Sequence, residues 1–288
     1  MRWLVFGLLL ICSCNIFEPF YDEGKSGDLE GIINDVEMAL ERGEPGKAAE
    51  YAERGLQLYP ESVSLLYLAA VSSINENGIN FVDYIDIVRS NTDYWVRTGS
   101  RPGAWQTAGW DTTFFFEDLS EEEIGRLASV FHKCYRYLLR AALLIADGRA
   151  TREEIARFES DIQLSLGVSG ILSAVLTVID EDHDLENGFV LDSEIRLFEI
   201  EDEWGFTGVD FSIVCGIFPV LLDAQEALYD HYRRINPSED PADIPPEYRC
   251  RNIPWIDEDT FSGELFAAVH RGIMSLHWYF GCDCMGGS

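Results

Sequence analysis

Apolar residues recur at spacings of three and four along much of the chain, the period of a helix with one buried face. Asp28 supplies an N-cap for a helix over 29–42, and Gly43 ends it. A second helix is predicted over 46–58, closed by Pro60, a third over 62–74, and a fourth over 80–89. Short helices separated by turns of a few residues pair as hairpins. Ser120 with Glu123 forms a capping box that opens a helix reaching about Ala146, where Asp147 and Gly148 stop it. Thr151 with Glu154 forms another, opening a helix to about Ile162, and a separate apolar helix follows over 167–179.

Residues 191–200 read as a helical segment, with a strand as the weaker reading. A long helix is predicted over 210–234. Pro219 inside it should kink it and free the carbonyl of Cys215. A loop with five prolines and Trp255 spans 236–259, and a last helix covers 261–280. No stretch alternates convincingly with the period of a strand. The expected class is therefore all-α, an irregular α-solenoid or helical bundle.

The first hairpins carry a family resemblance. Gly43, Ala48, Ala52, Gly55 and Pro60 stand where a tetratricopeptide repeat, a helical hairpin of about 34 residues, has its small and turn residues. Ala48, Ala52 and Gly55 share a helix face and let a partner helix come close, and Pro60 stops the hairpin so that the next can stack. Leu66 and Ala70 resemble the opening positions of a following repeat. Ile32 fits the pattern in the first helix, whereas Val36 stands where a small residue is usual. The resemblance covers less than a quarter of the chain, within 28–90. It implies a stacked helical scaffold that binds protein segments.

Residues 91–118 are different in kind. Trp95, Trp105, Trp110 and the run Phe114 to Phe116 lie there among glycines. Such rings either plug the helical body or line a groove for a sugar, an apolar ligand or a peptide. Trp95, Trp105 and Trp110 are the ligand-binding candidates.

The N-terminus reads Met-Arg-Trp, then an apolar run from Leu4 to Ile11, then Cys12-Ser13-Cys14. This is the secretory-signal pattern, and at roughly 12 Å as a helix the run is too short to span a bilayer. Ile11-Cys12-Ser13-Cys14 resembles a bacterial lipobox. The resemblance implies cleavage before Cys14, which then carries diacylglycerol and an N-acyl chain such as palmitate, enough to hold a protein stably on a membrane. Residues 1–14 are then the signal peptide with its lipobox, ending in the anchor cysteine, and 15–27 a tether, followed by the hairpins (28–90), the aromatic loop (91–118) and a C-terminal helical region packed on the same body (119–288). Asn15 follows the anchor. In enterobacteria an aspartate there retains lipoproteins at the inner membrane, so the expected address is the cell envelope, at the outer membrane and facing the periplasm. The most apolar later stretches, 164–179 and 209–222, are shorter than about 18 residues and read as buried core helices.

Charge narrows the partners. Lys+Arg number 21 against 51 Asp+Glu, a formal net charge of −30. Such a field repels nucleic acid and anionic membrane surfaces, and it attracts divalent cations and basic partners. Hydrophobic residues at 47% supply a packed core. Cys134 and Cys215 fall in apolar helical patterns and read as buried thiols. Cys250 with Cys282 or Cys284 is the candidate disulfide in an oxidising compartment.

Candidate chemistry is thin. Asp180, Asp182 and Asp184 have the first three spacings of a calcium loop, but Leu185 and Leu191 stand where glycine and glutamate belong. His270 and His277 share a helix face and, with Cys282 and Cys284, have zinc-compatible spacing; His270 otherwise reads as a surface or interfacial residue. Glu201 and Glu203 beside Trp204 offer a carboxylate pair of the kind a glycosidase uses. No nucleophile elbow, phosphate loop or metalloprotease motif is present in the sequence. No catalytic residue and no cofactor other than calcium is expected. The leading expectation is a non-enzymatic envelope scaffold or adaptor for protein partners. Behind it stand a small-ligand receptor associated with a periplasmic transporter and, last, a hydrolase.

Overall fold

The computed structural model of the chain describes residues 27–79, 119–178, 180–182, 184–190, 199–200, 206–207, 216–237, 266, 269–270 and 273. The predicted signal, Cys14, helix 80–89, the aromatic loop with Trp95, Trp105 and Trp110, and Glu201, Glu203 and Trp204 lie outside the described residues. So do Cys215, Cys250, His277, Cys282 and Cys284. The described elements are α1 (Leu29–Glu41), α2 (Pro45–Leu58), α3 (Val63–Glu76), α4 (Glu121–Ala146), α5 (Arg152–Val178), β1 (Glu199–Ile200), β2 (Phe206–Thr207) and α6 (Phe218–Ile235).

Local chemistry sets the first boundaries. The Asp28 carboxylate accepts the Gly31 N–H at 2.8 Å, capping α1. Gly43, at φ +71°, makes the left-handed turn that lets α2 fold back. Ala48, Ala52 and Gly55 are buried along one face of α2. A Cβ on Gly55 would lie 2.8 Å from both Ile32 of α1 and Leu65 of α3, so the small residues do admit both neighbours.

Helix α3 sits at the centre, and its two sides feed different cores. Leu65, Leu68 and Ala69 pack with Ile32, Val36, Ala39, Ala48 and Ala52 of α1 and α2. Val63, Leu66, Ala70 and Ile74 join the larger cluster built with α4, α5 and α6. Each helix packs on the next in chain order, and α3 also touches α5. Asp35, fully buried in α1, has the Arg54 guanidinium of α2 3.8 Å away.

Helix α4 opens at the expected capping box, with the Ser120 hydroxyl and the Glu123 carboxylate bonded to each other's backbone N–H. Its Cys134 is buried and donates its S–H to the Ala70 carbonyl at 3.4 Å.

Three elements depart from the expectations. The two helices predicted over 151–162 and 167–179 are one helix, α5, of 27 residues and about 40 Å. Gly167 and Gly170 do not break it; they are where α6 comes close. A Cβ on Gly167 would stand 2.6 Å from Leu228 Cγ, and one on Gly170 would stand 3.0 Å from Ala224 Cβ. As a result Arg152–Thr177 is long and apolar enough to cross a membrane by length and composition alone, yet 67% of its apolar window is buried inside the protein.

Of the helix expected over 210–234, residues 210–215 lie outside the described residues, and Pro219 makes no kink within α6. It occupies the first turn of α6, where its missing N–H costs nothing, so α6 begins at Phe218. Residues 199–200, the described end of the segment read as helical, form β1 instead. β1 pairs antiparallel with β2, Glu199 opposite Thr207 and Ile200 opposite Phe206. The described structure is otherwise helical.

Of the last predicted helix, Phe266, Val269, His270 and Ile273 are described. All four are helical and buried, at spacings of three and four. His270 is therefore an interior residue rather than a surface one. Its ring stacks on Phe266 with centroids 6.0 Å apart, and its Nδ1 lies 2.6 Å from the Gln225 amide nitrogen of α6.

Candidate functional site

An open groove of ≈ 350 Å³ runs between α2 and α4 with α3 beneath it. The helical period of α2 brings Glu53, Leu56 and Gln57 to it, and Pro60 follows where that helix has ended. Leu66 of α3 forms part of the floor. Tyr137 and Arg140 arrive from α4, three residues apart and so on the same face.

Ion pairs brace both of its flanks. Lys133 of α4 is bonded to Glu53 of α2, and its ammonium lies 5.8 Å from the Tyr137 ring centroid. Burial pulls the Lys133 amine down, but the hydrogen bond to Glu53 and the charge interactions with Tyr137, Glu53 and Cys134 together outweigh it, and the net shift is upward. Burial raises the Tyr137 phenol. At the turn end, Arg149 pairs with Glu61, tying the α4–α5 turn to the α2–α3 turn. The groove thus has an apolar floor of Leu56, Leu66 and the Tyr137 ring, a polar rim of Gln57 and Arg140, and walls held at a set spacing.

A second constellation joins α4, α5 and the acidic loop. His132 Nδ1 lies 3.4 Å from Ser173 Oγ, and its Nε2 lies 4.0 Å from Glu186. Arg136 donates to the same Glu186 oxygen at 2.8 Å. Burial first, then the Arg136 charge, lowers the His132 imidazole below its ordinary value, while Glu186 and Asp184 oppose this. Serine, imidazole and carboxylate in a row suggest nucleophilic catalysis. Ser173, however, is 2% exposed in the interior of α5, so its hydroxyl presents no open face to a substrate. The arrangement pins the 180–190 loop to the helices.

The calcium candidates lie in that loop, and their carboxylates are engaged with its own backbone. Asp180, itself buried, accepts the N–H groups of Asp184 at 3.1 Å and Val190 at 2.8 Å. Asp182 accepts the Asp184 N–H at 2.9 Å, and Asp184 accepts from Glu186 N–H and the Asn187 amide. Among the described residues no group of three His, Cys, Asp or Glu side chains is placed to hold a metal ion.

Sequence reasoning missed both constellations, because their members come from separate helices. Lys133 meets Glu53 across 80 residues of chain, and His132 meets Ser173 across 41. One signal was there to be read: Tyr137 and Arg140 stand among the polar positions of a strongly amphipathic helix. The chain matches no protein-family model, no curated protein and no solved structure.

Proposed function

We propose that this protein is a non-enzymatic scaffold of the bacterial envelope, held to the membrane by acylated Cys14, whose stacked hairpins offer a groove to a segment of a partner protein. The observation that carries this reading is the open groove over α3, with an apolar floor and a polar rim. An open trough of this kind suits an extended chain, whereas small ligands favour enclosed cavities that bury most of their surface. The buried small residues of α2 support the repeat-like stacking, since Gly55 lets α1 and α3 close on it from two sides.

The test uses the acylated protein in its own membranes. A photo-crosslinking residue replacing Gln57 in the groove is expected to capture a partner that the same residue replacing exposed Glu41, at the end of α1, does not. Equal capture at both positions, or none at position 57, would remove the scaffold reading. Mass spectrometry of the native N-terminal peptide tests the anchor: an unmodified Cys14 would remove that part alone.

A further inference from the structure

Helix α4 escapes the acidity of the chain over its long central stretch and is basic there. The chain carries 51 acidic residues in 288, about one in six. Yet α4 has its three, Glu121, Glu122 and Glu123, in the first turn, and none follows through Ala146. Its cations are Arg126, Lys133, Arg136 and Arg140, and the spacings of three, four and seven set them on one side of the helix, about 21 Å from end to end. The fold already uses two of them to receive carboxylates from other elements. Glu53 of α2 sits on Lys133, and Glu186 of the acidic loop sits on Arg136.

Arg140 is the cation inside the groove. It is exposed and makes no ion pair among the described residues. The carboxylates at the groove's edges are already matched, Glu53 by Lys133 and Glu61 by Arg149. The groove therefore carries a local positive charge on a protein of net charge −30. Apolar surface flanks that charge. Leu56, Leu66 and Tyr137 line the groove beside it, and Leu143, one turn beyond Arg140, is 56% exposed.

We propose that the partner segment taken by this groove is acidic: a carboxylate set beside aliphatic side chains, with Arg140 as its charge partner. The proposal rests on the scaffold reading and names the chemistry of the partner. A guanidinium matches a carboxylate with two parallel N–H donors, which fixes direction as well as charge. Leu56, Leu66 and Tyr137 of the groove supply the apolar contact that an exposed ion pair alone would lack. At physiological salt the Debye length is about 8 Å, so the distant acidic surface does not cancel the local match. Nucleic acid is disfavoured because its backbone carries far more phosphates than Arg140 can match, and the rest would lie against acidic surface at close range.

The experiment measures fluorescence anisotropy of labelled peptides of about twelve residues, alternating Glu–Glu and Leu–Leu, at about 0.15 M salt. Each is made with a free and with an amidated C-terminus, which tells a side-chain carboxylate from a terminal one. A Gln–Leu peptide of the same length and a short single-stranded DNA are the comparisons. The expected result is binding of the Glu–Leu peptide that weakens about fivefold or more with Arg140→Glu, is largely restored with Arg140→Lys, and is lost with Gln57→Trp. The Gln–Leu peptide binds about fivefold more weakly. Melting curves confirm that these exposed substitutions leave the fold intact.

Equal binding of both peptides, still sensitive to Gln57→Trp, would overturn the acidic preference and leave the scaffold reading standing. Absence of Glu–Leu binding, with a partner still captured at position 57, would do the same. DNA binding with the same dependence on Arg140 would overturn a protein segment as the occupant.

Discussion

Glu154 of α5 reaches Ser64 of α3 across 90 residues of chain and caps two helices with one carboxylate. One oxygen accepts the Ser64 N–H and hydroxyl, each at 3.2 Å. The other accepts the Thr151 N–H and hydroxyl, each at 2.9 Å. The first turns of α3 and α5 are thereby fastened together, beside the contact of the Tyr67 and Phe158 rings with centroids 5.0 Å apart.

Glu154→Gln is expected to destabilise the protein by about 1–2 kcal/mol, since an amide cannot accept on both sides. Burial raises this carboxyl, but the hydrogen bonds from Thr151 and Ser64 outweigh it and hold it below its ordinary value of 4.5. The folded state therefore favours the ionised form. Its contribution is present above pH 4.5 and is lost as pH falls through the lowered folded value. Urea melts of wild type and variant should differ at pH 7 and converge at acid pH.

Gly167→Ala is expected to cost about 1–3 kcal/mol, although alanine is the better helix former by about 1 kcal/mol. The added methyl would meet Leu228 Cγ and Cδ2 at 2.6 and 2.7 Å, and Leu228 is fully buried with no room to yield. Gly170→Ala, facing Ala224 Cβ at 3.0 Å, should cost less. A double-mutant cycle with Leu228→Ala should show that the Gly167 penalty largely disappears once the clash is removed.

Cys134 should resist alkylation in the native protein and react once urea unfolds it. Burial pushes its thiol up to about 12, and Lys133 only partly opposes this. Thiolate is therefore scarce at neutral pH, and the sulfur is shielded as well. Mass spectrometry of the peptide containing Cys134 follows the site directly.

His132 should make the protein less stable as pH falls below 6.5. Burial first and Arg136 second lower its imidazole, against Glu186 and Asp184, so the unfolded chain takes up the proton first. Between 6.5 and the lowered folded value the unfolded state binds more protons, and stability decreases on acidification. His132→Gln should flatten the pH dependence of unfolding free energy in that window relative to wild type.

Helix ends were legible wherever a local device marks them. Asp28, Gly43, Ser120 with Glu123, and Gly148 stand at the boundaries they announce, because caps and left-handed turns are settled within four or five residues. The misreadings share a different cause. Gly167 resembles a break and Pro219 a kink when only their neighbours in sequence are seen. The first is a point of helix contact, and the second a helix start.

His270 shows the same limit from the other side. Beside Arg271 it reads as a surface residue, and only the approach of α6, with Gln225, makes it interior. The groove was illegible for the same reason. Glu53, Leu66 and Arg140 have nothing in common along the chain until α2, α3 and α4 pack.

By itself the sequence determined that the described part of this protein is helical, where its capped helices begin, and which faces of them are apolar, because those properties arise from interactions a few residues apart. The tertiary structure decided that α5 is continuous, that α3 lies between two cores, and that Lys133 meets Glu53 at the edge of a groove. These depend on how side-chain volumes from distant segments fit together, and close packing settles that only when the helices meet.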